Sequence, residues 1–120
     1  MADKLTINIH RRGTISFNKG MHERFSLSKA TLGVSEDGNW FVVNSERKGY
    51  DIKSRRRTKG KSPDCSIYSR EICNAFFETF KLPLETRSMK LEIDRERKEF
   101  KGLSTWLILT DELTKKGGKP

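Results

Sequence analysis

The chain has 120 residues and carries a net charge of +9, with a pI near 9.8. Its length suits one small domain, and no stretch approaches the roughly 20 consecutive apolar residues that a bilayer-spanning helix needs. Charged residues make up 34% of the chain and hydrophobic residues 33%, while the aromatic fraction of 9% supplies a compact core and excludes full disorder.

The chain begins with two predicted strands. Leu5, Ile7 and Ile9 alternate with polar residues, which predicts a half-buried strand over residues 4–10. A glycine interrupts the alternation, and a second short strand is predicted over residues 14–17.

A short helix and a hairpin follow. Asn18 is a good N-cap for a helix over residues 19–25, in which Met21 and Phe25 are one turn apart. Residues 30–43 predict a β-hairpin, because two apolar arms flank a turn rich in Gly, Asn and Asp.

The middle of the chain is basic. One more short strand is predicted around Tyr50 and Ile52. Residues 53–64 contain no aliphatic or aromatic residue, which predicts a loop.

The second half repeats strand, helix and hairpin. Ile67 predicts a short strand, and Ser69 caps a helix with one apolar face, which Pro83 ends. Residues 88–93 alternate like a strand, and the charged run at 94–102 predicts a hairpin tip. The sequence STWLILT predicts the last strand.

This order suggests an internal duplication. The corresponding isoleucines, Ile15 and Ile67, are 52 residues apart, and the corresponding tryptophans, Trp40 and Trp106, are 66 apart. The offset grows because the second copy has a longer helix and longer turns, so the order of elements is a stronger signal than residue identity.

The first copy resembles a known family. The basic corner Arg11-Arg12-Gly13, a strand, one short helix, the exit Phe25-Ser26-Leu27 and a hairpin are similar to the swapped-hairpin module of AbrB and MazE-type DNA-binding proteins. The resemblance covers residues 5–43 tolerably and residues 65–109 poorly. It implies that two modules interleave to close one small barrel, with the short helix at one end.

The resemblance also implies DNA contacts. In this family the loop before the second strand faces DNA, which assigns that role to Arg11 and Arg12, and the cationic position at the start of the helix corresponds to Lys19. The chain departs from the family at Asn18, where proline is usual, and at Ser28-Lys29-Ala30, where a glycine-aspartate turn is usual.

We therefore predict a β-rich α+β fold in which two strand–short helix–β-hairpin modules form one small barrel-like domain. The first module spans residues 1–52 and the second 65–113, joined by a flexible basic connector at 53–64. Residues 114–120 are predicted to be a disordered tail.

Positive charge clusters in residues 47–61, which hold eight cations and one anion, Asp51. Clustered cations neutralise phosphates and release counterions, and arginine also forms bidentate contacts with phosphate. Tyr50 lies beside them, where it is placed to stack on an exposed base. The predicted nucleic-acid-binding residues are Arg11, Arg12, Lys19, Arg47, Lys48, Lys53, Arg55, Arg56, Arg57, Lys59 and Lys61.

The predicted function is nucleic-acid binding, with duplex DNA favoured over RNA, by a small transcriptional regulator or accessory factor. The protein would act as a monomeric pseudo-dimer or as a homodimer. One alternative is a structural or assembly protein, for example viral, whose basic loop meets an acidic protein partner. Another is an RNA-binding protein that uses the Tyr50 region.

Catalysis finds little support in the sequence. Cys65 and Cys73 are expected to be free thiols, and their spacing matches no zinc site. Glu92 and Asp94 are the only candidates for a metal-dependent nuclease. We expect no enzyme activity, cofactor, metal or membrane partner, and a cytoplasmic location, because the start of the chain lacks an apolar signal core.

Overall fold

The computed structural model describes residues 4–55 and 64–110. The first two strands, β1 (Leu5–His10) and β2 (Thr14–Phe17), form an antiparallel hairpin; β1 begins one residue later than predicted, and β2 has the predicted bounds. The turn between them depends on Gly13, whose φ is +123°. A Cβ at this position would lie 2.8 Å from the ring of Tyr68, so only glycine fits.

The short helix α1 (Lys19–Arg24) begins where the sequence predicts. The Oδ1 atom of Asn18 accepts hydrogen bonds from the backbone N–H groups of Met21, at 3.1 Å, and Thr6, at 3.3 Å. The same side chain therefore caps the helix and ties it to β1. Met21 is fully buried, as its position on the apolar face requires.

The predicted hairpin is formed by β3 (Lys29–Val34) and β4 (Trp40–Ser45). Two very short strands follow, β5 (Tyr50–Asp51) and β6 (Lys53–Arg55). The sequence predicts one strand around Tyr50 and a loop from residue 53. Strand β6 instead occupies the first three residues of that loop, because they pair with a later strand.

The second half contains β7 (Asp64–Tyr68), α2 (Arg70–Thr79), β8 (Ser88–Phe100) and β9 (Leu103–Ile108). Ser69 caps α2, since its Oγ accepts a hydrogen bond from the N–H of Ile72 at 3.2 Å. The predicted charged tip at 94–102 is mostly strand, because β8 continues to Phe100 and pairs with β9 beyond a register shift. Only the turn residues 101–102 separate the two strands.

All strand pairs of the described residues are antiparallel, in the order β5-β3-β4-β9-β8-β1-β2-β7-β6. The strands at the two edges, β5 and β6, are consecutive in the chain and separated only by Ile52. One short segment therefore pairs with β3 at its start and with β7 at its end, which brings the edges together. The result is a small, strand-rich domain with a nearly closed, barrel-like sheet, which confirms the predicted β-rich α+β class.

The core fills the inside of this sheet, where the inward side chains of the strands meet one face of each helix. The ring of Trp40 lies 5.3 Å from that of Phe76 and 6.3 Å from that of Phe80, centroid to centroid. The ring of Trp106 lies 5.9 Å from that of Phe25. Each tryptophan thus packs against an aromatic residue on or just after a helix, and this burial stabilises two helices that propensity alone would not.

Candidate nucleic-acid interface

A surface groove of about 810 Å³ lies over the outer faces of β1, β2, β7 and β8. It is lined by Asn8, His10, Arg11, Arg12, Thr14, Ser16, Cys65, Ser66, Leu84, Arg87 and Ser88. Among the described residues, the lining contains arginines, a histidine, hydroxyls and an amide, but no carboxylate. Such a surface offers hydrogen-bond donors and positive charge to an anion without a competing negative group.

The floor of the groove follows from strand alternation. Ile15 and Ile67 point into the core and pair with each other across β2 and β7. Their neighbours Thr14, Ser16 and Ser66 must therefore point outward. These side chains are small and carry hydroxyls, so a ligand can approach the backbone closely and still find polar partners.

One polar atom of the groove has no partner. The Oδ1 atom of Asn8 is buried and forms no hydrogen bond within the described residues. A buried acceptor without a donor costs free energy, and native proteins rarely contain one unless water or a ligand donates a hydrogen bond to it.

Arg11 lines the groove but also has a structural role. Its Nε donates to the carbonyl of Thr86 at 2.9 Å, and its Nη2 donates to the carbonyl of Pro83 at 2.7 Å. Its guanidinium carbon lies 4.3 Å from the centre of the Phe77 ring. Arg11 therefore fastens the α2–β8 loop to the β1–β2 corner, and two of its donor groups are already used.

Arg12 and Arg87 are the available cations of the groove. Both side chains are exposed, and neither forms an ion pair with any acidic residue that the structure describes. The Arg12 carbonyl accepts a hydrogen bond from the hydroxyl of Tyr68 at 3.3 Å, and the Arg87 carbonyl accepts one from the Arg11 N–H at 2.7 Å. Their backbones are held while their guanidinium groups face solvent.

The other described cations of the predicted set do not line the groove. Lys19 is exposed on α1 and lies 4.0 Å from Glu23, a contact of little energetic value. Arg47 and Lys48 are exposed in the β4–β5 connection, where Ser45 Oγ accepts hydrogen bonds from both backbone N–H groups.

Asp51, the one anion of the basic stretch, is paired. Its Oδ1 lies 2.7 Å from Nζ of Lys29. The hydrogen bond to Lys29 and its charge lower the pKa of Asp51, with a smaller contribution from the charge of Lys53. Lys53 is exposed at the start of β6.

The centre of the basic connector, with Arg56, Arg57, Lys59 and Lys61, lies outside the described residues. Its two ends are described. The chain leaves β6 at Arg55 and enters β7 at Asp64, and the next two residues of β7, Cys65 and Ser66, line the groove. The connector therefore begins and ends at the margin of the groove.

Sequence reasoning missed most of the groove lining. Arg87 is an isolated cation in the sequence, and only the pairing of β8 with β1 brings it beside the basic corner, with His10 opposite Ser88. The available signal was the set of small hydroxyl residues, Thr14, Ser16 and Ser66, at the outward positions of the strands.

The cysteines and acidic residues of the described ranges were candidates for other chemistry. Burial raises the pKa of the Cys73 thiol to about 11, which keeps it protonated and unreactive near neutral pH. Within the described ranges, no three His, Cys, Asp or Glu side chains are grouped to hold a metal ion. Asp94 accepts a hydrogen bond from the N–H of Glu96 at 3.0 Å, within the register shift of β8. No helix in these ranges is long and apolar enough to cross a membrane.

No family model, curated protein or solved structure matches this chain at a significant level.

Proposed function

We propose that this protein binds duplex DNA through the groove and the basic connector at its margin, acting as a small regulator or accessory factor. The observation that carries the proposal is the lining of the groove, in which three arginines and five small polar side chains meet and no described residue contributes a carboxylate. Phosphate contacts of this kind supply affinity with little dependence on sequence.

We also propose that the domain consists of two interleaved modules related by a pseudo-twofold axis. Strand pairing supports this. On β2 and β7, Ile15 is opposite Ile67, and its neighbours pair reciprocally, Thr14 with Tyr68 and Ser16 with Ser66. Since the two isoleucines are the corresponding residues of the sequence repeat, a twofold axis between them relates one strand to the other.

The opposite seam supports the same axis. On β4 and β9, Phe41 is opposite Leu107, and these residues follow directly after Trp40 and Trp106, the corresponding tryptophans. The remaining strand pairs follow the same axis. Strand β1 of the first module pairs with β8 of the second, and β5, the counterpart of β1, pairs with β3, the counterpart of β8. The segment 50–55 thus takes the place in the second module that β1 has in the first.

Aromatic packing crosses between the proposed modules. Trp40 of the first packs on Phe80 of the second, and Trp106 of the second packs on Phe25 of the first. Phe25 and Phe80 open the two F-x-L triplets of the repeat. Both indole N–H groups are buried without a hydrogen-bond partner in the described residues, a further shared feature.

This symmetry gives the basic connector a role. The segment between β6 and β7 is the counterpart of the Arg11-Arg12-Gly13 corner between β1 and β2. Because β2 and β7 are antiparallel, the Arg11-Arg12-Gly13 corner and the described ends of the connector, Arg55 and Asp64, lie at opposite ends of this pair of strands, with the hydroxyl-lined floor between them. The pair spans roughly 13 Å over its four paired residues, a length suited to phosphates on both sides of a DNA groove.

Base stacking on Tyr50 receives less support. Tyr50 is half-buried, and its hydroxyl accepts a hydrogen bond from Ser69 Oγ at 3.1 Å. This contact fixes the ring at the seam between β5 and β7, where it stabilises the fold.

The proposal is tested by fluorescence anisotropy with a labelled duplex of about 20 base pairs at several salt concentrations, with single-stranded RNA as competitor. The logarithm of the association constant falls as log salt rises, and each lost phosphate contact lowers the magnitude of this negative slope by about 0.9, so Arg12→Ala/Arg87→Ala should lower the magnitude by about 2. Arg55→Ala/Arg56→Ala/Arg57→Ala should lower it further and weaken binding to all duplex sequences alike.

The matched control is Lys98→Ala/Lys101→Ala, which removes two charges from the tip of the β8–β9 hairpin, away from the groove. It should leave the slope nearly unchanged. Equal effects of the control and the groove variants would refute a localised interface, and more effective competition by single-stranded RNA than by duplex DNA would favour the RNA alternative.

A further inference from the structure

The outer face of β4 and β9 is apolar, unlike the groove. Cross-strand partners share a face, so Phe41 and Leu107 point outward together, and Val43 points outward opposite Thr105. Phe41, Val43 and Leu107 are all partly exposed, and Leu109 continues the row with 36% of its surface exposed. We call this surface the β4–β9 face.

The neighbouring strands extend this surface. On β3, Gly33 is opposite Phe41, so no side chain covers that ring from one side. On β8, Phe100 is opposite Leu103 and is 62% exposed. A sheet face that met only water would carry polar side chains at these outward positions, and contiguous exposed apolar surface marks an interaction site.

The charges at the two ends of the β4–β9 face are opposite. The β3–β4 turn, at one end, carries Glu36 and Asp37, both exposed. The β8–β9 hairpin, at the other end, is positive on balance, because residues 95–101 hold four exposed cations and two exposed glutamates. Of these cations, Lys98 shares the outer face with Thr105, and Nζ of Lys101 lies 5.4 Å from the centre of the Phe100 ring.

From this arrangement we infer that the β4–β9 face binds a second copy of the same chain in a twofold dimer. If β4 of one copy runs antiparallel to β4 of the other across the interface, the acidic turn of each copy meets the lysines of the other. Such a face is self-complementary, as an isologous interface requires. A partner of one charge would match only one end.

The size of the face sets the expected affinity. Four strands about 4.8 Å apart and six residues of about 3.3 Å each give a flat area on the order of 400 Å² per copy, before the hairpin tips are added. This is below the roughly 800 Å² per partner of stable complexes. We therefore expect a reversible dimer in the micromolar range, in which the charged tips contribute to affinity.

The dimer has a consequence that rests on the proposed function. In the strand order, the β4–β9 seam lies opposite the β2–β7 seam around the barrel-like sheet. Two copies joined through the β4–β9 face would hold their grooves on opposite sides of the assembly, so each dimer would bridge two DNA segments.

The test is sedimentation equilibrium of the full chain, without nucleic acid, from about 1 to 500 μM, so its result does not depend on whether the protein binds DNA. The wild type should dimerise within this range. Leu107→Lys should weaken dimerisation at least 10-fold, because it places two like charges in an apolar interface.

The matched control is Val34→Lys, which places the same charge on an exposed apolar residue of β3 that lies outside this face, opposite the inward Trp40. It should leave the dimer intact. A second pair of variants changes only exposed charged residues: Asp37→Lys should weaken the dimer, and Asp37→Lys/Lys98→Asp should restore part of the loss.

A chain that stays monomeric at all concentrations would overturn the inference. So would a dimer that tolerates Leu107→Lys, with circular dichroism showing that the variant is folded. If Leu107→Lys does not fold, the Asp37 and Lys98 variants decide the question, since both residues are exposed at turns or strand ends.

Discussion

Replacing Asn44 by alanine should lower the stability of the domain without changing its fold. Asn44 is fully buried at the end of β4. Its Oδ1 accepts hydrogen bonds from the N–H groups of Ser26 at 3.0 Å and Leu27 at 3.1 Å. Its Nδ2 donates to the carbonyls of Leu27 at 3.1 Å and Lys29 at 2.8 Å. One side chain thus forms hydrogen bonds with four backbone groups of the segment between α1 and β3.

The expected loss follows from these four bonds. Each contributes a net of about 0.5–1.5 kcal/mol, and the backbone groups left behind are half-exposed, so water replaces some of the bonds. We expect Asn44→Ala to lower the free energy of unfolding by about 3 kcal/mol, which corresponds to a drop of roughly 12 °C in the melting temperature.

The measurement is urea unfolding followed by tryptophan fluorescence, because Trp40 and Trp106 are both buried and report on the core. The control is Asn39→Ala, an exposed asparagine in the β3–β4 turn, which should change stability by less than about 0.5 kcal/mol. A loss below about 1 kcal/mol for Asn44→Ala would show that the loop does not depend on this side chain.

Three further predictions concern the basic corner and the core. Gly13→Ala should destabilise the fold by about 2 kcal/mol or more in thermal unfolding, because of its positive φ and the 2.8 Å approach to its neighbours, whereas Gly33→Ala, with 3.7 Å of space, should be nearly neutral. Arg11→Ala should lower stability by about 1–2 kcal/mol through the lost stacking and hydrogen bonds, whereas Arg12→Ala should affect only nucleic-acid binding. Folding raises the pKa of the Cys73 thiol, so as the pH rises above 9 the unfolded chain loses this proton before the folded chain does. The free energy of unfolding should therefore fall between about pH 9 and 11, and it should fall less in Cys73→Ala.

Local patterns predicted the elements of the first half well. The alternation around Leu5 and the cap at Asn18 depend on neighbours within a few residues, and both are found where expected. The charged run after Ile93 was predicted as a tip, because charge indicates solvent but does not distinguish an exposed strand from a turn. Pairing with β9 decides in favour of strand.

The groove was less accessible to sequence reasoning. The positions of Arg87 and Ser66 beside the basic corner depend on strand pairings between residues at least 50 positions apart. Such register is set by the packing of the whole sheet, and no local signal encodes it. Arg11 illustrates the same limit, since its stacking on Phe77 follows from the position of α2.

Strand β6 has two roles, since it seals the sheet against β7 and also anchors the cationic segment that follows Arg55. A polyanion bound to that segment would stabilise β6, so binding of the polyanion and pairing of β6 with β7 are thermodynamically linked. Substitutions that loosen this strand should therefore weaken DNA affinity even where they remove no charge.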